Sequence, residues 1–191
     1  MTVRFAIFAS GNGSNAQALY QAIQDGKLRG ELVGVFSDKP DAFVLERAAS
    51  WGVPMFHLAP KSFVSKEAYE QALLDQLRSW QVDFLVLAGY MRLIGSTLLN
   101  AFPNRIVNIH PSLLPAFPGK DAIGQALEHG VHVTGVTVHF VDAGMDTGPI
   151  LAQRAVEVQA TREQTEACIH AAEHELYREA LDQLWNEERM K

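Results

Sequence analysis

Cysteine is almost missing from this chain: Cys168 is the only one in 191 residues. No internal disulfide can form, and no cysteine-based zinc site can be assembled. Long hydrophobic runs are missing too. No apolar stretch approaches the length of a membrane span, and the first apolar run reads as a strand, not as a secretory leader. Positive charge is not in excess, with 16 Lys and Arg against 22 Asp and Glu for a net charge of −6. That balance lacks the basic footprint of a nucleic-acid-binding protein. No repeat, low-complexity tract or linker interrupts the sequence, so one domain over residues 1–191 is expected. What remains is an ordinary globular composition, 48% hydrophobic and 20% charged, which fits a cytoplasmic enzyme.

What is present is an alternation of apolar runs and helical patterns, the mark of an α/β protein with a largely parallel sheet. Strands are expected over 5–9, 32–36, 54–58, 84–88 and 105–109. Helices are expected over 15–24, 43–51 (ended by Gly52), 66–80 (capped by Ser65), 121–128 and 165–187. The run 84–88 is apolar throughout and so buried on both faces. Residues 134–141 put Val136, Val138 and Phe140 on one face and Thr137 and His139 on the other, and 150–158 can pair with them as antiparallel additions. The last helix carries Ile169, Ala172, Leu176, Ala180 and Leu184 along one stripe.

The most informative segment is Asn108-Ile109-His110-Pro111-Ser112-Leu113-Leu114-Pro115. Asn108 and His110 are two apart at a strand end, so they project from one face. An amide donor and an imidazole able to carry a proton then converge on one point. Pro111 holds His110 in an extended conformation. The ordinary alternative is a strand end with a hydrogen-bonded histidine.

A second segment, Ser10-Gly11-Asn12-Gly13-Ser14-Asn15-Ala16, lies between the first strand and the first helix. Glycines let the backbone approach an anion, and a helix start offers free N–H groups. Phosphate binding is one reading and a capped tight turn another. Gly11, Gly13 and Ala16 also satisfy a dinucleotide-binding spacing, with Asp38 placed as the ribose acid; a nicotinamide-dependent oxidoreductase or a non-catalytic nucleotide-binding module are therefore alternatives. A third segment, residues 142–149, is a polar, glycine-rich connection carrying Asp142 and Asp146. Either carboxylate could lie beside His110 and favour its charged form. The other histidines, including His57, His129, His132 and His139, are read as surface or strand-face residues, and no metal is expected.

Taken together with Leu87-Ala88-Gly89-Tyr90-Met91-Arg92 and Glu173-His174-Glu175-Leu176-Tyr177, these segments resemble the folate-dependent formyltransferase family along essentially the whole chain. The resemblance implies a Rossmann-like, three-layer open twisted sheet, largely parallel with antiparallel strands in the C-terminal half and helices on both faces. It implies transfer of a formyl group from 10-formyltetrahydrofolate to the amine of glycinamide ribonucleotide, with Asn108, His110 and Asp146 as the catalytic trio. Ribonucleotide binding falls on Gly13, Ser14, Asn15 and Glu173. Folate binding falls on Met91, Arg92, Leu93, Ile94, Asn108, Val141, Asp142 and Ala143, with Lys66 near the glutamate tail where some relatives have Arg. The N-terminal half is thereby assigned to the ribonucleotide and the C-terminal half to folate and catalysis, in a monomer or homodimer. Some members carry a histidine-containing stretch where this chain has residues 119–124.

Overall fold

The computed structural model describes residues 2–189. Seven strands form one sheet in the order β3-β2-β1-β4-β5-β6-β7. They are β1 (Val3–Phe8), β2 (Gly30–Ser37), β3 (Met55–His57), β4 (Phe84–Leu87), β5 (Ile106–His110), β6 (Val133–Phe140) and β7 (Ile150–Glu157). The first five pair in parallel; β5 with β6 and β6 with β7 are antiparallel. The helices are α1 (Ser14–Gln24), α2 (Phe43–Trp51), α3 (Lys66–Ser79), α4 (Ser96–Ala101), α5 (Ala122–Glu128) and α6 (Arg162–Arg189). Among the described residues no helix is long and apolar enough to cross a membrane.

Two apolar layers flank the sheet. On one face Phe5, Ile7, Val86, Val107 and Val138 pack against Leu19 of α1, Val44 of α2 and the stripe of α6. On the other, Phe8, Phe36, Leu85, Leu87 and Ile106 pack against α3 and α4. β4, and β1 from Phe5 to Phe8, are buried on both faces, as their unbroken apolar runs require. The Ser65 hydroxyl caps α3 by accepting from the Ala68 N–H at 3.1 Å, and α2 stops at Gly52, whose φ of +69° only glycine adopts freely.

Most element ends fall within two residues of expectation, and three departures are larger. α6 starts at Arg162, three residues early, because its first turn (Arg162, Glu163, Gln164) is polar and carries no stripe. Thr161 caps it there, its hydroxyl accepting from the Gln164 N–H. α4 is not foreseen at all. It has six residues and one buried side chain, Leu98, too few to show a period; the buried Glu70 carboxylate holds its start by accepting from the N–H groups of Gly95 and Leu98. A turn of 3-10 helix over Pro60–Ser62 is also unforeseen.

Strand order reverses between β1 and β4, since β2 and β3 extend to one side of β1 and β4 to β7 to the other. Connections that leave on opposite sides open a crevice beyond the strand ends, the usual ligand position in open α/β sheets. Here the Ser10 N–H donates to the Gly89 carbonyl at 3.0 Å across that point.

Candidate active site

A cleft of about 660 Å³ runs from the β1–α1 turn across the ends of β4 and β5 to the β6–β7 loop. That volume is in the range of sites for drug-sized ligands. At one end lies the glycine turn. Gly13 precedes α1 with φ +76°, and a Cβ there would come 2.7 Å from Val44 Cβ, so position 13 admits no side chain. Ser10 joins the turn to the next strand: its hydroxyl donates to Asp38 at 2.6 Å and accepts from the Met91 N–H at 3.0 Å. Asp38, the ribose acid of the dinucleotide alternative, is thus committed to Ser10. Deeper in, the buried Glu173 carboxylate accepts from the Asn15 amide at 3.3 Å and lies 2.9 Å from His170 Nδ1. That hydrogen bond raises the His170 pKa. The Asn15 Oδ1 is buried with no hydrogen-bond partner among the described residues.

The middle of the cleft is walled by the segment after β4. Met91 and Leu93 are exposed, Ile94 is buried, and Met145 is exposed on the facing loop. Exposed apolar side chains gathered at one cleft suit an apolar ligand. Arg92 stacks its guanidinium over the Tyr69 ring at 5.9 Å, and the hydroxyls of Tyr69 and Tyr90 are 3.1 Å apart beneath it.

At the far end, Asn108 and His110 face the cleft from β5. His110 Nε2 is 2.9 Å from the Phe117 carbonyl, so that nitrogen carries a proton. Its Nδ1 is 3.4 Å from Asp146 Oδ2, which also accepts from the Gly119 N–H at 2.8 Å. Of the two carboxylates that sequence leaves open, Asp146 is therefore the one beside His110. Asp142 serves its own loop, accepting from the Gly144 N–H and the Thr147 hydroxyl.

His139 lies on a strand face, as expected, but it is buried and has partners that the sequence does not show. It sits opposite Asn108 in the β5–β6 register. Its Nδ1 donates to the Phe140 carbonyl at 2.8 Å, and its Nε2 is 3.3 Å from the Asn108 amide nitrogen. Burial pushes its pKa down. A neutral ring with the proton on Nδ1 accepts from Asn108 through Nε2, and the 3.7 Å approach of Nε2 to Asp146 is then not an ion pair. The signal available in sequence is the alternation of β6, which puts His139 on the polar face; what it lacks is the pairing.

Behind this end stands a buried network that sequence does not reveal. The Thr137 hydroxyl donates to the Ser112 carbonyl at 2.7 Å and accepts from the Leu114 N–H and the Gln153 amide. Gln153 also donates to the Leu114 carbonyl. Residues 112–117 are thereby fixed over β6, with a cis peptide before Pro115, and the Phe117 carbonyl is delivered to His110.

The cleft thus gathers the glycine turn, Glu173, the 91–94 segment, Val141, Asp142 and the Asn108, His110 and Asp146 trio. Lys66 and Ala143 are not on its wall. Lys66 is the first residue of α3, with its Cε packed near Gly95 at the rim. Lys39 and Lys120 are on the wall and are not anticipated. His170 and His174 stand at His-x-x-x-His spacing on α6, a metal-ligand spacing that the expectation of no metal passes over. Among the described residues no three His, Cys, Asp or Glu side chains are grouped to hold an ion, and the His170 Nδ1 is engaged by Glu173.

A doubly wound sheet with Asn, His and Asp gathered at its crevice is the architecture of an α/β ligand-binding site. The chain belongs to the formyl transferase family, whose model matches residues 3–181. Within that family it is 51% identical over 183 residues to phosphoribosylglycinamide formyltransferase of Bacillus subtilis (strain 168), covering 95% of this chain and 94% of that protein. The fold matches a crystal structure of glycinamide ribonucleotide transformylase 1 from Geobacillus kaustophilus with a TM-score of 0.94 and 53% identity, over 96% of this chain and 99% of that one. It also matches phosphoribosylglycinamide formyltransferase from Bacillus halodurans, with a TM-score of 0.92 and 54% identity, over 95% and 94% of the two chains.

Proposed function

We propose that this chain transfers the formyl group of 10-formyltetrahydrofolate to the amine of glycinamide ribonucleotide, a step of purine biosynthesis in the cytoplasm, giving formylglycinamide ribonucleotide and tetrahydrofolate. The family membership and the full-length relatives support this reading. The observation that carries it is the convergence of Asn108, His110 and Asp146 in the same cleft as the glycine turn. In this reading residues 1–191 act as one unit. The phosphate lies on Gly13, Ser14 and Asn15, the ribose meets Glu173, and the folate ring fills the slot of Met91 to Ile94, Val141 and Asp142, with its tail toward Arg92 and Lys66.

The neutral amine attacks the formyl carbon, a C–N bond forms, and negative charge grows on the formyl oxygen. Asn108, oriented by His139, offers its second N–H to that oxygen, and His110 offers Nε2–H by turning it from the Phe117 carbonyl. Asp146 lies beside the opposite ring nitrogen, at 3.4 Å from Nδ1. These donors act where charge develops, so they stabilise the transition state more than the bound substrate. The bond from the formyl carbon to the folate nitrogen then breaks. The amine proton passes, through water beside Asp146 or His110, to that nitrogen. Incubation with both substrates, following deformylated folate by absorbance, tests the reading directly: turnover requiring both is expected. A melting-temperature rise with NAD and none with a folate analogue would overturn it.

A further inference from the structure

Besides Ser10, α2 holds the glycine turn in shape. The Val44 N–H, in the first turn of α2, donates to the Gly11 carbonyl at 3.1 Å. One turn on, Arg47 Nε donates to the Asn12 carbonyl and Nη2 to the Asn12 side-chain oxygen, both at 2.9 Å, while Nη1 donates to Gln17 of α1 at 3.0 Å. The guanidinium lies 4.8 Å over the Phe43 ring, which fixes its plane. Two consecutive carbonyls are therefore drawn toward α2. In a trans peptide the N–H points opposite to its C=O, so the N–H groups of Asn12 and Gly13 are turned away from α2. They join those of Ser14, Asn15 and Ala16, which the first turn of a helix leaves without intrahelical acceptors. Successive N–H groups on one side form an anion-binding concavity.

We infer that Arg47, which does not itself line the cleft, is a positioning residue for the ribonucleotide phosphate: its two-point hold on Asn12 sets the peptide planes whose N–H groups receive the anion. The inference rests on the proposed placement of the phosphate. A lysine at 47 would keep the charge but lacks the rigid planar fork whose separate nitrogens meet the Asn12 carbonyl, the Asn12 side-chain oxygen and Gln17 in aligned geometry.

The test compares Arg47→Ala and Arg47→Lys with the parent protein. Arg47→Ala should raise the KM for glycinamide ribonucleotide about tenfold or more, the scale of a lost charge-assisted hydrogen bond. The kcat and the folate KM should stay within about twofold, as expected when only uniform binding of one substrate is lost. Arg47→Lys should stay within about threefold of Arg47→Ala, and Asn12→Ala should lose less in Arg47→Ala than in the parent, because the two act as one unit. Unchanged ribonucleotide KM in Arg47→Ala overturns the inference. Full recovery in Arg47→Lys overturns it too, leaving charge alone. Equal losses for both substrates with a lower Tm would mean a folding defect and also overturn it. Calorimetric binding of ribose 5-phosphate separates this from the proposed reaction. A parent protein that binds it but does not turn over fails the reaction and leaves Arg47 testable by Kd; one that does not bind it fails the inference as well.

Discussion

Under the proposed reaction, the two ends of the cleft recognise ligands in opposite ways. At the β1–α1 end the recognising groups are main chain, and side chains serve to aim them: Gly13 has no room for a Cβ beside Val44, and Arg47 and Ser10 hold the turn from behind. At the β5–β6 end the recognising groups are side chains, and main chain aims them. His110 rests on the Phe117 carbonyl, Asp146 on the Gly119 N–H and His139 on the Phe140 carbonyl. A bound dianion needs fixed dipoles and no change of protonation, which backbone supplies. A reacting centre needs groups whose charge can change, which only side chains supply.

The sharpest way to break the contrast is to remove charge at the side-chain end. Asp146→Asn should keep both KM values within about threefold and lower kcat at least about a hundredfold, the range of lost electrostatic assistance. Adding His110→Asn should cost little more; multiplicative losses in steady-state kinetics would show that the two residues do not act together. At the main-chain end, Gly13→Val should raise the ribonucleotide KM more than about tenfold with the folate KM unchanged, because the new side chain meets Val44 and blocks the turn. A loss confined to folate would place the phosphate elsewhere.

Smaller effects sharpen the comparison. Thr137→Val keeps the shape of the side chain but leaves the Leu114 N–H and the Ser112 carbonyl without their buried partner. It should lower stability by about 1–3 kcal/mol, measured by urea denaturation, and lower kcat more than either KM as the 112–117 loop loosens. The smallest effect is in pH dependence. Burial depresses the His139 pKa below its ordinary 6.5, so near and below that pH the unfolded chain binds the more protons and stability falls as pH falls. His170, raised by Glu173, acts in the opposite sense: its contribution is full below 6.5 and lost as pH rises through its folded value. His139→Gln should therefore flatten the acid side of a Tm-against-pH curve, and His170→Gln the neutral side; identical curves for the three proteins would contradict both assignments.

The sequence is most legible where a period exists. The two-residue spacing of strands puts Asn108 and His110 together, and the three-to-four spacing of α6 marks Ile169, Ala172 and Leu176, all buried. It is least legible in loops. Asp142 and Asp146 sit four apart in one glycine-rich connection, and nothing periodic separates them; the Gly119 N–H, brought from another loop, does. His139 is visible as a polar position, but its meaning depends on β6 pairing antiparallel with β5 so that it faces Asn108. Arg47 looks like any exposed helix arginine until α2 is seen against the turn. Lys66 is legible only through the resemblance: its side chain lies off the cleft wall, and no period or motif singles it out.

One feature of the side-chain end sets how selective it can be. Phe117 adopts φ +53°, a left-handed backbone that costs a non-glycine residue roughly 1–2 kcal/mol, and its carbonyl occupies His110 Nε2. That carbonyl is an amide oxygen, and so is the oxygen of an N-formyl group. Under the proposed reaction, moving the imidazole proton from one to the other in the ground state exchanges like for like and yields almost nothing. Once the formyl oxygen becomes an anion, it outcompetes the peptide carbonyl, because hydrogen bonds to charged acceptors are about twice as strong. The Phe117 carbonyl is thus an internal competitor that cancels the interaction with substrate and leaves only its excess in the transition state.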